Sequence, residues 1–150
     1  MTPRIDLTQH INSSLGRAMF SLSSETAARL DPRLFELVKI RASQLNGCAY
    51  CIDMHTKDAR AAGETEQRIY ALPAWRETPF FTARERAALA FTESVTLLAQ
   101  THVPMADYQE VAALYTPDEI AALVSLITVI NAWNTVGVST RTWLPGSYEP

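Results

Sequence analysis

The residues that decide the fold are 31–55, which read DPRLFELVKIRASQLNGCAYCIDMH. Asp31 can cap the free amides at a helix start, and Pro32 suits the first helical position because no backbone donor is needed there. Apolar residues then recur at helical spacing as far as Gly47, which tolerates the left-handed backbone that often ends a helix. A second helix is predicted to begin near Cys48. This stretch therefore predicts two successive helices joined by a tight turn.

Helical periodicity continues along the rest of the chain, and no run alternates apolar and polar residues as a strand would. Capping boxes, in which a Thr is followed three residues later by a Glu, predict helix starts at Thr82 and Thr116. The helix from Pro117 is apolar on nearly all sides, so it must be covered, as the central core helix or as a subunit interface. We therefore expect an all-α fold, a single-domain helical bundle over residues 1–150. Further predicted elements are an apolar helical stripe over 11–22, helices over 64–72 and 104–114, an irregular stretch over 73–79 and an extended tail after Gly137.

Composition and charge exclude several classes of protein. The 150 residues carry a formal net charge of −3 with no basic run, which argues against a nucleic-acid partner. The N-terminal residues lack the apolar core of a secretion signal, and the longest apolar stretch, residues 120–133, is shorter than the ~20 residues that cross a bilayer. No Gly-rich phosphate loop or cofactor lysine motif occurs, so no bound organic cofactor is expected. We therefore expect a soluble, cytoplasmic protein without a membrane partner.

Both cysteines of the chain lie in this deciding stretch, together with one of its three histidines, as Cys48, Cys51 and His55. Offsets of three, four and seven place the three side chains on one helix face. A helix N-terminus favours a thiolate at Cys48, and His55 lies one turn beyond Cys51, where it can accept a proton. A disulfide between the cysteines closes too small a loop to stabilise the fold, so redox or metal chemistry is expected instead.

Glu36 is a candidate partner for the imidazole. It lies 11 residues before Gly47, and His55 lies 8 residues after it. At a rise of ~1.5 Å per residue, an antiparallel helix pair places the two side chains about 16 and 12 Å from the turn, roughly one helical turn apart. A carboxylate there can orient the imidazole and raise its basicity. Geometry alone, however, favours the simpler interpretation of Glu36 as a solvated charge.

Two alternatives use the same residues. The cysteines and His55 could supply three zinc ligands, with Glu36 or water as the fourth, although structural zinc sites usually draw ligands from two separated segments and no second pair exists here. The cysteines could also be a buried, inert pair beside a surface histidine. The other histidines, His10 and His102, are isolated in the sequence and are expected at surface or capping positions.

The spacing of four residues carries a family resemblance: Glu36, eleven residues, Cys48-x-x-Cys51, three residues and His55. This pattern resembles the signature of the alkylhydroperoxidase D-like (AhpD-like) branch of the carboxymuconolactone decarboxylase superfamily. The resemblance covers most of the chain, from about residue 32 to residue 145. It includes three segments: FELVKIRASQLNG at 35–47, TARERAAL at 82–89 and INAWN at 130–134.

The resemblance implies an all-helical protein that assembles into homo-oligomers, commonly trimers or hexamers, with thiol-dependent peroxidase and disulfide-exchange activity. Carried over to this chain, it implies Cys48 and Cys51 as the redox pair and His55 with Glu36 as the proton relay. One position departs from the pattern, since the best-known members have a second histidine where this chain has Tyr50. A tyrosine, with a pKa of about 10, is a poor base at neutral pH.

The leading hypothesis is therefore a thiol peroxidase or disulfide reductase that acts on a hydroperoxide or disulfide substrate. Its electron donor would be an external dithiol, either a lipoyl group, a thioredoxin-like protein or a small thiol. Proximity to His55 favours Cys51 as the attacking cysteine, whereas the helix N-terminus and its expected exposure favour Cys48; we favour Cys51. Other hypotheses are a non-catalytic redox sensor, a metal-stabilised protein and a carboxymuconolactone-type decarboxylase, for which the sequence marks no carboxylate-binding pocket.

Overall fold

The computed structural model describes residues 2–7 and 13–150. Ile11 of the predicted apolar stripe and His10 lie outside them. All regular structure in the described residues is helical, with no strand among them, which confirms the predicted all-α fold. A 3₁₀ helix, Leu72–Glu77, follows the fourth α-helix. The α-helices in this part of the chain are α1 (Ser13–Ala27), α2 (Pro32–Asn46), α3 (Ala49–Ala61), α4 (Glu66–Ala71), α5 (Ala83–Thr96), α6 (Leu98–Thr101), α7 (Met105–Ala112) and α8 (Pro117–Thr140).

Three helices begin where a side chain satisfies their free amides. The Asp31 carboxylate accepts hydrogen bonds from the backbone amides of Arg33 and Leu34, at 3.0 and 3.2 Å. Thr82 and Thr116 form complete capping boxes at the starts of α5 and α8. These contacts confirm the predicted starts of α2, α5 and α8.

Gly47 produces the turn that shapes the site. It ends α2 in the left-handed backbone region, at a φ of 67°. The turn is so tight that α3 runs back along α2 and packs against it. Glu36 of α2 and His55 of α3 therefore face each other, as the antiparallel pairing predicts.

The centre of the domain is formed by α2 and α8. α2 packs against α3, α5 and α8, while α1 packs along α8. Each fully buried aliphatic side chain contributes roughly 1.5–3 kcal/mol relative to its exposed state. By length and composition alone α8 could cross a membrane, but 50% of its apolar window is buried inside the domain, as in a core helix. Fully buried residues of the two helices include Leu37, Ile40, Leu123, Leu126, Ile127 and Ile130.

The C-terminal part of the fold differs from the prediction. α8 does not end at Gly137 but continues to Thr140, because Gly137 packs against the cysteine pair instead of turning the chain. The helix ends at Arg141, which has a left-handed φ of 54°, and the tail begins only there. The stretch expected to be irregular contains the 3₁₀ helix Leu72–Glu77. His102 is exposed and ends α6, at one of the capping positions predicted for it.

Candidate redox site

The two cysteines lie at the start of α3 and are joined by a disulfide. Cys48 is the N-cap residue of α3, as predicted, and the Cys51 amide donates to Cys48 Sγ at 3.4 Å. Only 2% of Cys48 and 4% of Cys51 is exposed, so the expected exposure of Cys48 is wrong. The reason lies in the tertiary structure, because α8 covers the pair.

The residue of α8 that covers the disulfide is Gly137. A Cβ at this position would lie 3.1 Å from Cys48 Sγ and 3.8 Å from Cys51 Sγ, and the shorter distance is tighter than ordinary packing allows. Glycine therefore lets α8 pass directly over the disulfide. The sequence pattern does not predict this role, since a glycine near an expected helix end indicates a stop. A lone glycine within an apolar helix is the pattern that indicates a close approach.

Glu36 and His55 are brought together by the antiparallel pair α2 and α3. His55 Nδ1 lies 3.2 Å from Glu36 Oε2, and both side chains are buried. The two atoms are close enough for a hydrogen bond but are not aligned for one, and neither has another hydrogen-bond partner. Glu36 is therefore not the solvated charge that helix geometry alone favours, and His55 is not on the surface.

Lys39 completes this buried group. Its Nζ donates to Glu36 Oε1 at 2.8 Å and lies 4.1 Å from the centroid of the Phe35 ring. The side chain is buried, so a carboxylate and an aromatic face, rather than water, stabilise its charge. Lys39 is not among the predicted site residues, although its spacing of three from Glu36 is the pattern that indicates such an ion pair.

Burial and neighbouring charges set the protonation of this group. Burial lowers the pKa of His55, and together with the Lys39 ammonium it outweighs the opposing contact with Glu36. Burial alone would raise the pKa of Glu36, but the contacts with His55 and Lys39 outweigh it and hold the pKa below its usual value. At neutral pH a neutral imidazole therefore lies beside an ionised carboxylate, which is the state in which His55 can accept a proton.

A second carboxylate, Asp58, approaches the imidazole. Its Oδ2 lies 3.8 Å from His55 Nδ1, and its Oδ1 accepts a hydrogen bond of 2.7 Å from Tyr148 Oη. Donor atoms of Glu36, His55 and Asp58 lie within 4.8 Å of one another, which makes them the one candidate metal-binding group in the described residues. The Lys39 ammonium already binds Glu36 and repels a cation. The zinc ligand set considered from the sequence is not formed here, because disulfide sulfurs are not thiolate ligands.

Cys51 and His55 line the same cavity, which has a volume of about 370 Å³. Lys39 lies in the cavity wall as well, whereas Cys48 does not. One cysteine, the imidazole and the ammonium thus surround a single space. Most of the other lining side chains are apolar, and they include Phe20, Met54, Ile130, Trp133 and Trp143.

Tyr50, at the position of the family's second histidine, forms part of the same wall. Its ring stacks on Trp143, with the ring centroids 5.7 Å apart. Burial raises the pKa of Tyr50, and the nearby charges of Asp53 and Asp58 raise it further. Tyr50 is therefore protonated at neutral pH and serves as a packing surface rather than as a base.

Asparagine side chains connect the end of α2 to α8. Asn46 Nδ2 donates to Asn131 Oδ1 at 2.7 Å and to Asn134 Oδ1 at 2.9 Å, and Asn134 Nδ2 donates to Ser43 Oγ at 2.9 Å. Each such bond contributes roughly 0.5–1.5 kcal/mol. The network holds α8 against the turn that leads into Cys48. The sequence pattern that indicates it is the pair of asparagines interrupting an apolar helix.

Known proteins share this sequence and this architecture. The carboxymuconolactone decarboxylase family profile matches residues 13–94. The uncharacterized protein YdfG of Bacillus subtilis (strain 168) is 50% identical over 104 residues, which cover 69% of this chain and 71% of YdfG. The uncharacterized protein YnjA of Escherichia coli (strain K12) is 28% identical over 102 residues, which cover 68% of this chain and 56% of YnjA.

Solved structures with the same fold have more than one activity in their names. A protein of unknown function from Agrobacterium tumefaciens, described as a putative antioxidant defence protein AhpD, superposes with a TM-score of 0.90 at 34% identity, covering 96% of this chain and 99% of that one. The debrominase Bmp8 superposes with a TM-score of 0.82 at 19% identity, covering 97% and 79%, which shows the fold alone. The helical fold and its C-x-x-C pair define an AhpD-like protein. This chain belongs to the carboxymuconolactone decarboxylase family.

Proposed function

We propose that this protein is a thiol-dependent peroxidase whose redox group is the Cys48–Cys51 pair. The observation that carries the proposal is the shared cavity, which Cys51 and the neutral imidazole of His55 both line. Glu36 lies behind that imidazole at 3.2 Å, where its negative charge stabilises the imidazolium formed when His55 accepts a proton. The similarity to an AhpD antioxidant defence protein supports the proposal.

The first step oxidises Cys51. In the reduced protein, His55 takes the proton of the Cys51 thiol, and the resulting thiolate attacks the terminal oxygen of the hydroperoxide. The O–O bond breaks, a new S–O bond forms, and the alcohol leaves with the proton returned by His55. The product at Cys51 is a sulfenic acid. Cys51 is proposed as the attacking residue because it lines the cavity, whereas Cys48 does not.

The second step forms the disulfide seen in the structure. The Cys48 sulfur attacks the sulfenic sulfur of Cys51, an S–S bond replaces the S–O bond, and the hydroxyl leaves as water with the Cys48 proton. An external dithiol then reduces the pair by exchange and becomes a disulfide itself. A lipoyl group, a thioredoxin-like protein or a small thiol could supply that dithiol. The exchange step alone, run on a substrate disulfide, is the corresponding disulfide reductase activity.

The family resemblance supports two further proposals about the whole protein. We infer that it acts in the cytoplasm, where thiols are kept reduced. We also infer that it forms a homo-oligomer of three or six chains. Light scattering should then give a mass of about 50 or about 100 kDa, from a chain of 16.7 kDa; a monomer mass at micromolar concentration would contradict this.

Single-turnover oxidation tests the peroxidase proposal. The reduced protein is mixed with hydrogen peroxide and with tert-butyl hydroperoxide, and Cys48 and Cys51 are followed by mass spectrometry. We expect stoichiometric loss of both thiols and formation of their disulfide, much faster than oxidation of free cysteine. Cys48→Ser should stop at a trappable sulfenic acid on Cys51, whereas Cys51→Ser should not react above the free-cysteine rate.

Two outcomes would contradict the peroxidase proposal. Thiols that oxidise only at the free-cysteine rate would leave no peroxidase. A fast single oxidation without turnover in the presence of dihydrolipoamide or dithiothreitol would favour the redox sensor. The pH must be held constant, since the thiolate fraction alone changes the rate.

Reductive dehalogenation is a second candidate function, favoured by the aromatic side chains beside Cys51. Bmp8, which has the same fold, is a debrominase that was crystallised in complex with 2,3,4-tribromopyrrole. In this reaction the carbon–bromine bond is replaced by a carbon–hydrogen bond, bromide and a proton are released, and the two thiols become a disulfide. Release of bromide from a bromopyrrole by the reduced protein tests it, with Cys51→Ser as the control.

A further inference from the structure

We propose that the cavity beside Cys51 is a binding site for uncharged, ring-bearing organic molecules, and that hydroperoxides carried on an aromatic group are its preferred substrates. The chemistry of this inference rests on the proposed peroxidase function, but the binding does not. The tests below separate the two. Size, wall and charge of the cavity carry the argument.

The cavity is far larger than a small peroxide requires. Its volume is about 370 Å³. A buried apolar cavity of roughly 150 Å³ already holds benzene. Hydrogen peroxide would leave most of the apolar wall without contacts, whereas a ring with several attached carbons would fill much of the space.

Aromatic rings form a continuous wall around this space. Phe20, Trp133, Trp143 and Tyr50 follow one another with ring centroids 5.1, 5.8 and 5.7 Å apart. These distances are typical of favourable ring–ring contacts, and the pairs are tilted, edge-on and stacked in turn. A ligand ring entering the cavity can therefore continue the same pattern of contacts. Aliphatic ligands of equal size lack that contribution.

Charges in the wall favour an uncharged ligand. Lys39 is the cation that lines the cavity, and its ammonium is already paired with Glu36 at 2.8 Å and placed over the Phe35 ring. His55 is neutral at neutral pH because burial lowers its pKa. An anionic group in this cavity would have to compete with Glu36 for the one ammonium, and a cation would be repelled by it.

The C-terminal tail holds the central ring in place. Trp143 lies on this tail, which is fastened to α3 by two hydrogen bonds beyond it. The Gly146 amide donates to Asp53 Oδ2 at 2.9 Å, and Lys57 Nζ donates to the Tyr148 carbonyl at 2.8 Å. The aromatic wall is therefore built before a ligand arrives, which lowers the entropic cost of binding.

Binding of the product alcohol tests the site without any turnover. We would titrate 2-phenylpropan-2-ol, the alcohol left by cumene hydroperoxide, into the oxidised protein and follow tryptophan fluorescence. tert-Butanol, with the same alcohol group and no ring, is the comparison. We expect saturable binding of the phenyl compound at concentrations at least tenfold below any response to tert-butanol. Equal responses to the two alcohols, or none, would overturn the inference.

Variants of the tail locate the binding. Trp143→Ala should weaken binding of 2-phenylpropan-2-ol about tenfold, and Trp143→Leu, which keeps an apolar wall without a ring, should also weaken it. Leu144→Ala is the matched control, because Leu144 is the exposed neighbour on the same tail and does not line the cavity. Undiminished binding in a folded Trp143→Leu protein would place the ligand elsewhere and overturn the inference.

Turnover then connects the site to substrate choice. The ratio of kcat/KM for cumene hydroperoxide to that for tert-butyl hydroperoxide should exceed ten in the wild type and fall towards one in Trp143→Ala. Binding of the phenyl alcohol with no turnover of either hydroperoxide would support the site and contradict the peroxidase function. Turnover of both substrates at equal rates, without binding of the alcohol, would overturn the inference and leave the peroxidase function intact.

Discussion

Lys39 shows how one buried charge sets the chemistry of its neighbours. Its ammonium binds Glu36 Oε1 at 2.8 Å, so the carboxylate stays ionised and directs its other oxygen towards His55. The same positive charge opposes protonation of the imidazole, and thereby adds to the effect of burial on the pKa of His55. Lys39 is in this sense a positioning residue that acts through Glu36.

Removing that charge should shift the pH dependence of the reaction. In Lys39→Met the protonated imidazole is no longer disfavoured by the ammonium, so the pKa of His55 rises. A higher pH is then needed to keep His55 neutral, and the acidic limb of kcat/KM for peroxide should move to higher pH. Lys39→Arg, which keeps the charge, should restore the wild-type limb. A rate loss at all pH values with an unmoved limb would contradict the positioning role.

Gly137 should make stability depend on the redox state. Alanine normally stabilises a helix by up to about 1 kcal/mol relative to glycine. At Gly137 the new Cβ would lie 3.1 Å from Cys48 Sγ, so Gly137→Ala should lose that gain in the oxidised protein. In the reduced protein Cys48 Sγ can rotate away, and the gain should partly return.

Urea unfolding of both redox forms provides the measurement. The matched control is Gly16→Ala in α1, where a new Cβ meets nothing within 4 Å. It should show the same gain in both forms. Equal effects of Gly137→Ala in the oxidised and reduced proteins would mean that the close approach to the disulfide has no energetic consequence.

At the scale of elements, α2 is the helix that carries both Glu36 and Lys39. Its start depends on Asp31, whose carboxylate accepts from two backbone amides. Asp31→Ala should lower the free energy of unfolding by about 1 kcal/mol, because those amides lose their partner. Asp31→Asn keeps a capping side chain and should cost much less. Urea unfolding of the two variants checks this, and equal losses would contradict a capping role.

At the scale of the whole molecule, stability should fall in acid. The folded pKa of His55 lies below its unfolded value of 6.5, so the unfolded state binds more protons and gains in population as pH falls through that value. Glu36 acts in the same direction: its folded pKa lies below 4.5, so its contribution is present above that pH and is lost on acidification. The urea midpoint should therefore be lower at pH 5.5 than at pH 7.5.

His55→Asn provides the control for acid stability, because asparagine does not titrate. The decrease in urea midpoint between pH 7.5 and pH 5.5 should be smaller in this variant than in the wild type. At pH 5.5 His55 is the buried group whose charge is affected most, whereas Glu36 is still ionised. An identical decrease in both proteins would assign the acid sensitivity to other groups.

Local physics explains how much could be predicted from the sequence. Asp31, Thr82 and Thr116 begin helices through bonds to amides two or three residues away, so the pattern of letters contains the whole interaction. The spacing of Glu36 and His55 about Gly47 likewise predicts their meeting, because helix rise is constant. The all-α class, the helix starts and the pairing across the turn were determined in this way.

Contacts between distant parts of the chain decided the rest. Cys48 is buried because α8 crosses it at Gly137, nearly ninety positions later in the sequence, and no local pattern gives the distance between two helices. The aromatic wall joins Phe20, Tyr50 and Trp143 from α1, α3 and the tail, and these side chains share no periodicity. The sequence by itself determined which reactive groups lie near one another along α2 and α3. Only tertiary packing decided which of them are buried, how they are charged and what shape of molecule can reach them, because burial depends on what the remaining helices cover.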